Sequence, residues 1–126
     1  MKITINDRRK IHEIQESFSE VFPYLKLEFF SKPHKPGNAS PKKFMKSSSK
    51  TIGECRTVHS NGTMTILPKM QVLDLEKGFS DTFGLSVQVF RKSGNAWLEV
   101  TSTGGWTLEE ENRVGEEMNK PEPENL

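Results

Sequence analysis

The chain has 126 residues and a formal net charge of +1 at pH 7, and this length predicts one domain. No apolar run approaches the roughly 18–20 residues that a membrane helix needs, and no secretory signal pattern follows Met1. We therefore expect a cytoplasmic protein that does not contact membranes. A single cysteine, Cys55, excludes an internal disulfide.

The charge is unevenly distributed along the chain. Residues 31–52 contain six Lys and no acidic residue, whereas residues 109–126 contain seven Glu against Arg113 and Lys120. The remaining sequence is balanced. Either the acidic end neutralises the basic stretch within one molecule, or the basic stretch is free for an outside partner. No repeat with a period of 20–50 residues is visible.

The first predicted elements are a strand, a helix and a strand. Alternation of apolar and polar residues predicts a short strand over residues 2–5. Apolar residues then recur at helical spacing over residues 11–22. Pro23 predicts the end of this helix because it disfavours the α conformation in the residue before it. Alternation over residues 24–30 predicts the second strand.

A long unpatterned loop and a hairpin are predicted next. Residues 31–49 have no periodicity, and a loop this long is usually functional or disordered. Asn61-Gly62 lies between alternating runs within residues 54–67, which predicts a hairpin with a type I′ turn. Helical spacing predicts a second helix over residues 72–83, which ends at a left-handed Gly84.

Two further strands are predicted at residues 85–92 and 96–102. A Ser93-Gly94 turn pairs Phe90 with Trp97, whereas a Gly94-Asn95 turn places Phe90 opposite Glu99. We prefer the first register because it matches apolar residues on both faces of the hairpin.

The C-terminal part is predicted to form a helix and a tail. Thr107 and Glu110 form a capping-box pattern that predicts the start of a third helix. Residues 119–126 have the composition of an acidic disordered tail. We therefore expect one domain over residues 1–118, with a Lys-rich loop at residues 31–52 within it.

The order of these elements predicts the α+β class. We expect a single two-layer domain with a mostly antiparallel sheet of five to six short strands and two or three helices. Two topologies remain open. The hairpin–helix–hairpin order of residues 54–100 resembles a β-grasp fold, and one helix from each half of the chain on one sheet resembles a ferredoxin-like fold. Neither fold dictates a function.

No pattern of catalytic or metal-binding residues is evident. Cys55 and His59 would lie about 13 Å apart along the predicted strand, too far for a thiolate–imidazole pair. The sequence has no paired metal-ligand spacing and no Gly-rich phosphate loop. We assign no catalytic, cofactor-binding or metal-binding residues and expect no cofactor. The sequence favours a non-enzymatic protein without excluding an enzyme that uses Cys55.

Two features indicate binding. The first is the set of lysines in the loop, which would attract phosphate backbones by counterion release: Lys32, Lys35, Lys42, Lys43, Lys46 and Lys50. The second is a candidate aromatic face formed by Phe90 and Trp97. If this face is open, bases of a single strand could stack on it.

The leading hypothesis is a small binding module that contacts RNA, single-stranded DNA or another polyanion through the Lys-rich loop. The alternative is a protein-interaction or regulatory module that uses the aromatic face for a protein partner. The sequence does not indicate an oligomeric state.

Overall fold

The computed structural model describes residues 1–35 and 37–120. Three helices and five strands are formed there, together with two short 3-10 turns at Lys42–Phe44 and Ile52–Cys55. In chain order the regular elements are β1 (Lys2–Ile5), α1 (Ile11–Val21), β2 (Leu25–Phe30), β3 (Gly62–Thr65), α2 (Val72–Phe83), β4 (Ser86–Ser93), β5 (Ala96–Glu99) and α3 (Leu108–Met118).

Local signals explain the three helices. Helix α1 ends just before Pro23, and Gly84 ends α2 with φ of +63°, a conformation that favours glycine. The Thr107 hydroxyl accepts the N–H of Glu110, and the Glu110 carboxylate accepts the N–H of Thr107. These contacts complete the capping box at the start of α3.

The α+β class is confirmed, but the single sheet of five to six strands is wrong. Strand β1 pairs with β3 in a two-stranded sheet, and β2, β4 and β5 form a three-stranded sheet in the order β2-β4-β5. All pairings are antiparallel. Neither the β-grasp-like nor the ferredoxin-like topology is formed, because each needs more strands in one continuous sheet.

The predicted hairpin at Asn61-Gly62 is also wrong. Strand β3 pairs with β1, and Gly62 does not have the positive φ that a type I′ turn requires. The physical reason is Arg56, whose buried Nη1 donates to the carbonyls of Ser60 and Phe83. The chain after Arg56 therefore curls around the guanidinium and does not extend as a strand.

The β4–β5 hairpin uses the register that we did not prefer. Ser93 lies opposite Ala96 and Phe90 lies opposite Glu99, so the turn residues are Gly94 and Asn95. Gly94 has φ of +59°, which fits the first central position of a type II′ turn. The geometry of the two-residue turn, and not the matching of apolar side chains across the strands, therefore sets the register of this hairpin. Phe90 and Trp97 share a face of the sheet but are not directly opposite each other.

The hydrophobic core lies where helices α1, α2 and α3 pack against one face of the three-stranded sheet. Strands β1, β2 and β4 contribute alternate residues to it, because successive side chains of a strand point to opposite faces, and β3 contributes Met64. The largest fully buried side chains are Phe18, Phe29, Phe30 and Phe79, with Ile5, Ile11, Ile14, Leu25, Leu27, Ile52, Ile66 and Leu75. Of these, Phe30 lies outside the main core cluster.

The two halves of the chain share a repeat with a period of about 61 residues, longer than the 20–50 residues of common repeat proteins. Phe18-Ser19 recurs 61 positions later as Phe79-Ser80, and Phe22 recurs as Phe83 at the same spacing. Both halves contain a strand, a helix, a second strand and a helical segment with a capping box, and in the second half β5 lies between the second strand and that segment. Few residues are identical, so the repeat is much clearer in the structure than in the sequence.

Hydrogen bonds at the helix N-termini repeat in the same way. The N–H of Ile11 in α1 donates to Lys50 O, and the N–H of Val72 in α2 donates to Trp106 O. Isolated bridges join Lys10 to Thr51 and Gln71 to Thr107. Thr51 and Thr107 each begin a capping box with a Glu three residues later.

The pairing of the strands follows from this repeat. Strand β1 pairs with its equivalent β3, and β2 pairs with its equivalent β4, both antiparallel, as an approximate twofold axis requires. Glu28 and Gln88 face each other at the centre of the β2–β4 pair. The fold is therefore built like a symmetric dimer within a single chain.

The close packing of α3 gives a test of this architecture. A Cβ atom at Gly115 would lie 2.8 Å from Tyr24 Cβ and 3.2 Å from Arg91 Cγ. Gly→Ala in a helix interior normally stabilises by up to about 1 kcal/mol. We expect Gly115→Ala to lower the free energy of unfolding by about 1–3 kcal/mol instead, because α3 must move off the sheet.

Urea unfolding of both variants against the wild type measures this effect. Gly105→Ala is the control, since a Cβ atom there meets nothing within 4 Å. It should change the free energy of unfolding by less than about 0.5 kcal/mol. Equal stability of the two variants would contradict the close contact at Gly115.

Candidate functional site

The Lys-rich segment, residues 31–52, is held to the domain near both of its ends. At the first anchor it continues the sheet beside β2: the N–H of Ser31 donates to Phe44 O, and the N–H of Lys46 donates to Phe29 O, both at 2.8 Å. At the second anchor, Lys50 O and Ser48 O accept the N–H groups of the first two residues of α1. These N–H groups have no acceptor within the helix.

The six lysines of the segment form no salt bridge with any residue that the structure describes. Five side chains are exposed and that of Lys46 is half-buried. Within residues 1–35 and 37–120, none of the six lies within salt-bridge distance of a carboxylate. The ammonium groups of Lys32 and Lys43 lie 4.8 and 5.1 Å from the centre of the Phe44 ring. Two positive charges therefore lie close to the half-buried ring of Phe44.

One carboxylate lies near the second anchor of the segment. The Thr51 N–H donates to Glu54 and is the main cause that lowers the pKa of Glu54, with smaller contributions from Lys50 and Lys46. The other lysines have no such neighbour among the carboxylates whose pKa is shifted.

The acidic C-terminal helix packs on the body of the domain more tightly than the sequence suggested. Glu111 is fully buried, and its Oε2 lies 2.8 Å from Arg91 Nη1. The Asn119 side chain donates to Lys92 O, which places the start of the predicted tail on the domain surface. The rest of that tail, residues 121–126, lies outside the described residues.

The predicted aromatic face is only partly open. Phe90 is 8% exposed and Trp97 is half-buried, with Lys26 Nζ lying 5.4 and 5.1 Å from the two ring centres. Gln88 on the same face is fully buried and accepts a hydrogen bond from Ser40 Oγ of the Lys-rich segment. The segment, and not a helix, therefore covers part of this face.

A cavity of about 340 Å³ opens between α2, the start of β4 and the Lys-rich segment. Its lining combines the apolar residues Pro33, Leu73, Leu85 and Val87 with the hydroxyl-bearing residues Ser80 and Ser86 and the titratable residues His34, Asp74, Glu76, Lys77 and Asp81. His34 lies between Lys32 and Lys35 in the sequence, so the segment itself forms one wall.

His34 and Glu76 are the least exposed titratable groups of this cavity, since Asp74, Lys77 and Asp81 are exposed. The His34 ring nitrogens lie 3.0 Å from Lys35 O and 3.1 Å from Val87 O. Glu76 Oε2 accepts the N–H of Val89 at 3.1 Å, and Glu76 Oε1 lies 3.9 Å from His34 Nε2.

Burial is the main cause of the shifted pKa of Glu76. It raises the pKa of this carboxyl to about 7, against the opposing effects of the Val89 N–H and of His34. Sequence reasoning missed this group because a Glu in an amphipathic helix usually faces solvent. The available signal was its place in the helix, directly after the core residue Leu75 and in line with Val72 and Phe79.

Cys55 and His59 do not form a pair. Cys55 Sγ donates to Thr51 O, and burial raises the pKa of the thiol to about 11, which disfavours the thiolate. His59 Nδ1 lies 2.7 Å from Asp7 Oδ2, and Arg56 donates to Asp7 Oδ1. Arg56 is the main cause that lowers the pKa of Asp7. This cluster joins the chain after β1 to the chain before β3.

Comparison with known proteins found no matching family model, no similar curated protein and no similar solved structure. Within the described residues, no group of three or more His, Cys, Asp or Glu side chains is arranged to hold a metal ion. None of the helices in the described part of the chain is long and apolar enough to cross a membrane.

The raised pKa of Glu76 predicts a pH-dependent effect on stability. The folded state holds the proton more tightly than the unfolded chain, where the pKa is 4.5, so this group's contribution to stability is lost as the pH rises from about 4.5 to about 7. Gln cannot ionise. We therefore expect the stability of Glu76→Gln relative to wild type to increase across this pH window and to level off above it.

Urea unfolding at several pH values between 4 and 8.5 measures this difference. Glu20→Gln, at an exposed site on α1, controls for the loss of one carboxylate. If the stability of Glu76→Gln relative to wild type is the same at all pH values, Glu76 is not a carboxyl group with a raised pKa.

Proposed function

We propose that this protein is a small, non-enzymatic binding module that contacts single-stranded nucleic acid through the Lys-rich segment. The observation that carries the proposal is the set of six lysines with no acidic residue among them in residues 31–52 and no salt bridge within the described residues. Lysines without a carboxylate partner release counterions when they meet phosphates, which favours binding.

The anchoring of the segment supports this proposal. The main chain is hydrogen-bonded to β2 and α1 near both ends, so the lysines project from a fixed frame. Less conformational entropy is then lost on binding than from a free loop. Lysine presents a compact charge without the bidentate geometry of arginine, which suits contact with phosphates of any sequence.

Aromatic rings near these charges provide places for bases. The Phe44 ring lies beneath Lys32 and Lys43, and the Trp97 ring beneath Lys26. A base can stack on such a ring while the ammonium group moves to a neighbouring phosphate. Trp97 is the more accessible member of the Phe90–Trp97 pair, since Phe90 is buried. A cytoplasmic location remains a prediction.

The alternative is a protein-interaction module that uses the face of Phe90 and Trp97. A half-buried Trp on a partly open sheet face is the observation that favours it. Recovery of the same protein partner by the wild type and by Trp97→Ala would count against a role for this face.

Charge removal in the segment tests the proposed function. We expect the double variant Lys42→Gln, Lys43→Gln to weaken binding of a labelled (dT)20 strand several-fold at about 50 mM salt. It should also reduce the slope of log affinity against log salt by about 1.4, because each phosphate contact contributes about 0.7. Fluorescence anisotropy titrations at four salt concentrations measure both quantities.

The matched control is Lys2→Gln, Lys69→Gln, which removes two exposed lysines outside the segment. This control should retain most of the affinity and nearly the whole slope. An equal loss in both double variants, or no binding of the wild type at about 50 mM salt, would show that the segment is not a nucleic-acid site.

A further inference from the structure

The cavity of about 340 Å³ adjoins the proposed nucleic-acid surface. Pro33 and His34 form part of its wall, and the neighbouring Lys32 and Lys35 are exposed. A strand whose phosphates lie on these lysines would pass the opening of the cavity. The volume lies at the lower end of the range of small-ligand pockets, which suits a group of the size of a nucleobase.

The cavity offers one buried acceptor that the protein leaves unused. Glu76 is 8% exposed, and its Oε2 is occupied by the N–H of Val89. Its Oε1 receives no hydrogen bond from any of the described residues, and the ring nitrogen His34 Nε2 is 3.9 Å away. A ligand in the cavity that carries an N–H group could therefore donate to Glu76 Oε1.

The internal repeat shows that structure alone does not require a carboxylate here. The equivalent position in the first half, 61 positions earlier, is Gln15, whose amide donates to Leu27 O of strand β2. A neutral amide thus serves the helix–strand contact in one half. The other half buries an ionisable carboxyl group, whose charged form is costly there unless a partner compensates, and this burial is the main cause of its raised pKa.

We propose that this cavity receives one base of the bound strand and that the exocyclic amino group of adenine, cytosine or guanine donates to Glu76 Oε1. Pro33, Leu73, Leu85 and Val87 supply apolar walls for the base. Thymine and uracil have no exocyclic amino group, and their N3–H lies between two carbonyl oxygens, so a carboxylate that approaches this donor also meets oxygens that repel it. The inference rests on the proposed function, and it adds a preference for the base to a surface that otherwise reads only phosphates.

The test compares (dT)9 with the same strand carrying a single central deoxycytidine, deoxyadenosine or deoxyguanosine. We expect each substituted strand to bind the full-length protein at least about fivefold more tightly than (dT)9 at about 50 mM salt and about pH 8.5, where the Glu76 carboxyl is ionised, as measured by anisotropy. Binding of no strand contradicts the proposed function itself. Equal binding of all four overturns only the inference about the cavity.

Variants of the cavity show whether it is the source of the preference. In Glu76→Gln the Val89 N–H still needs an oxygen, so the amide nitrogen is directed toward the cavity and the acceptor becomes a donor. We expect the preference for amino-bearing bases to disappear and affinity for (dT)9 to rise. An unchanged preference in this variant would overturn the inference.

A second variant keeps the test decisive if Glu76→Gln does not fold. Ser80 lines the cavity from the exposed surface of α2, so Ser80→Trp should fill it and abolish the preference while the salt-dependent affinity for (dT)9 remains. Thr82→Trp adds the same side chain to the same helix outside the lining and should leave the preference intact. A preference that survives Ser80→Trp would place the base elsewhere.

Discussion

The main-chain pairing of the Lys-rich segment with β2 and with the start of α1 is the constraint on which the rest of the structure depends. It covers the outer edge of β2, supplies acceptors for the first N–H groups of α1 and brings Ser40 to the buried Gln88. It also carries His34 to Val87 and Glu76. The lysines are displayed by the same backbone that completes the fold, so the proposed binding surface and the core are physically coupled.

The two repeated halves of the chain differ in the connection that leads back to the start of the helix, and the proposed binding surface lies in one of these connections. In the second half, Gly104 O and Trp106 O accept the first N–H groups of α2, as Ser48 O and Lys50 O do for α1. The connecting chain there forms the β4–β5 hairpin and contains no comparable lysine cluster. One connection of a symmetric framework thus carries Trp97 without a lysine cluster, and the other adds positive charge and one wall of a cavity. The two halves differ in the same way at one helix position, where the first half has Gln15 and the second half has Glu76 in the wall of the cavity.

Elements with local signals could be predicted from the sequence, and contacts between distant segments could not. Pro23, Gly84 and Thr107 act on their own neighbours, so the ends of the helices were predictable. The predicted Asn61-Gly62 turn is wrong because Arg56 donates to the carbonyls of Ser60 and Phe83, and no local sequence pattern indicates these contacts. The lysines were visible as composition, whereas the cavity depends on the meeting of His34 with α2.

Native-state amide hydrogen exchange tests most directly whether the Lys-rich segment is a fixed part of the fold. The amides to follow are those of Ser31 and Lys46 at the first anchor, and of Ile11 and His12 at the second. We predict exchange at least about a hundredfold slower than in an unstructured peptide, because each of these N–H groups donates to a carbonyl oxygen across one of the two anchors. Exchange of these four amides at the unstructured rate, while those of α2 remain protected, would contradict the claim.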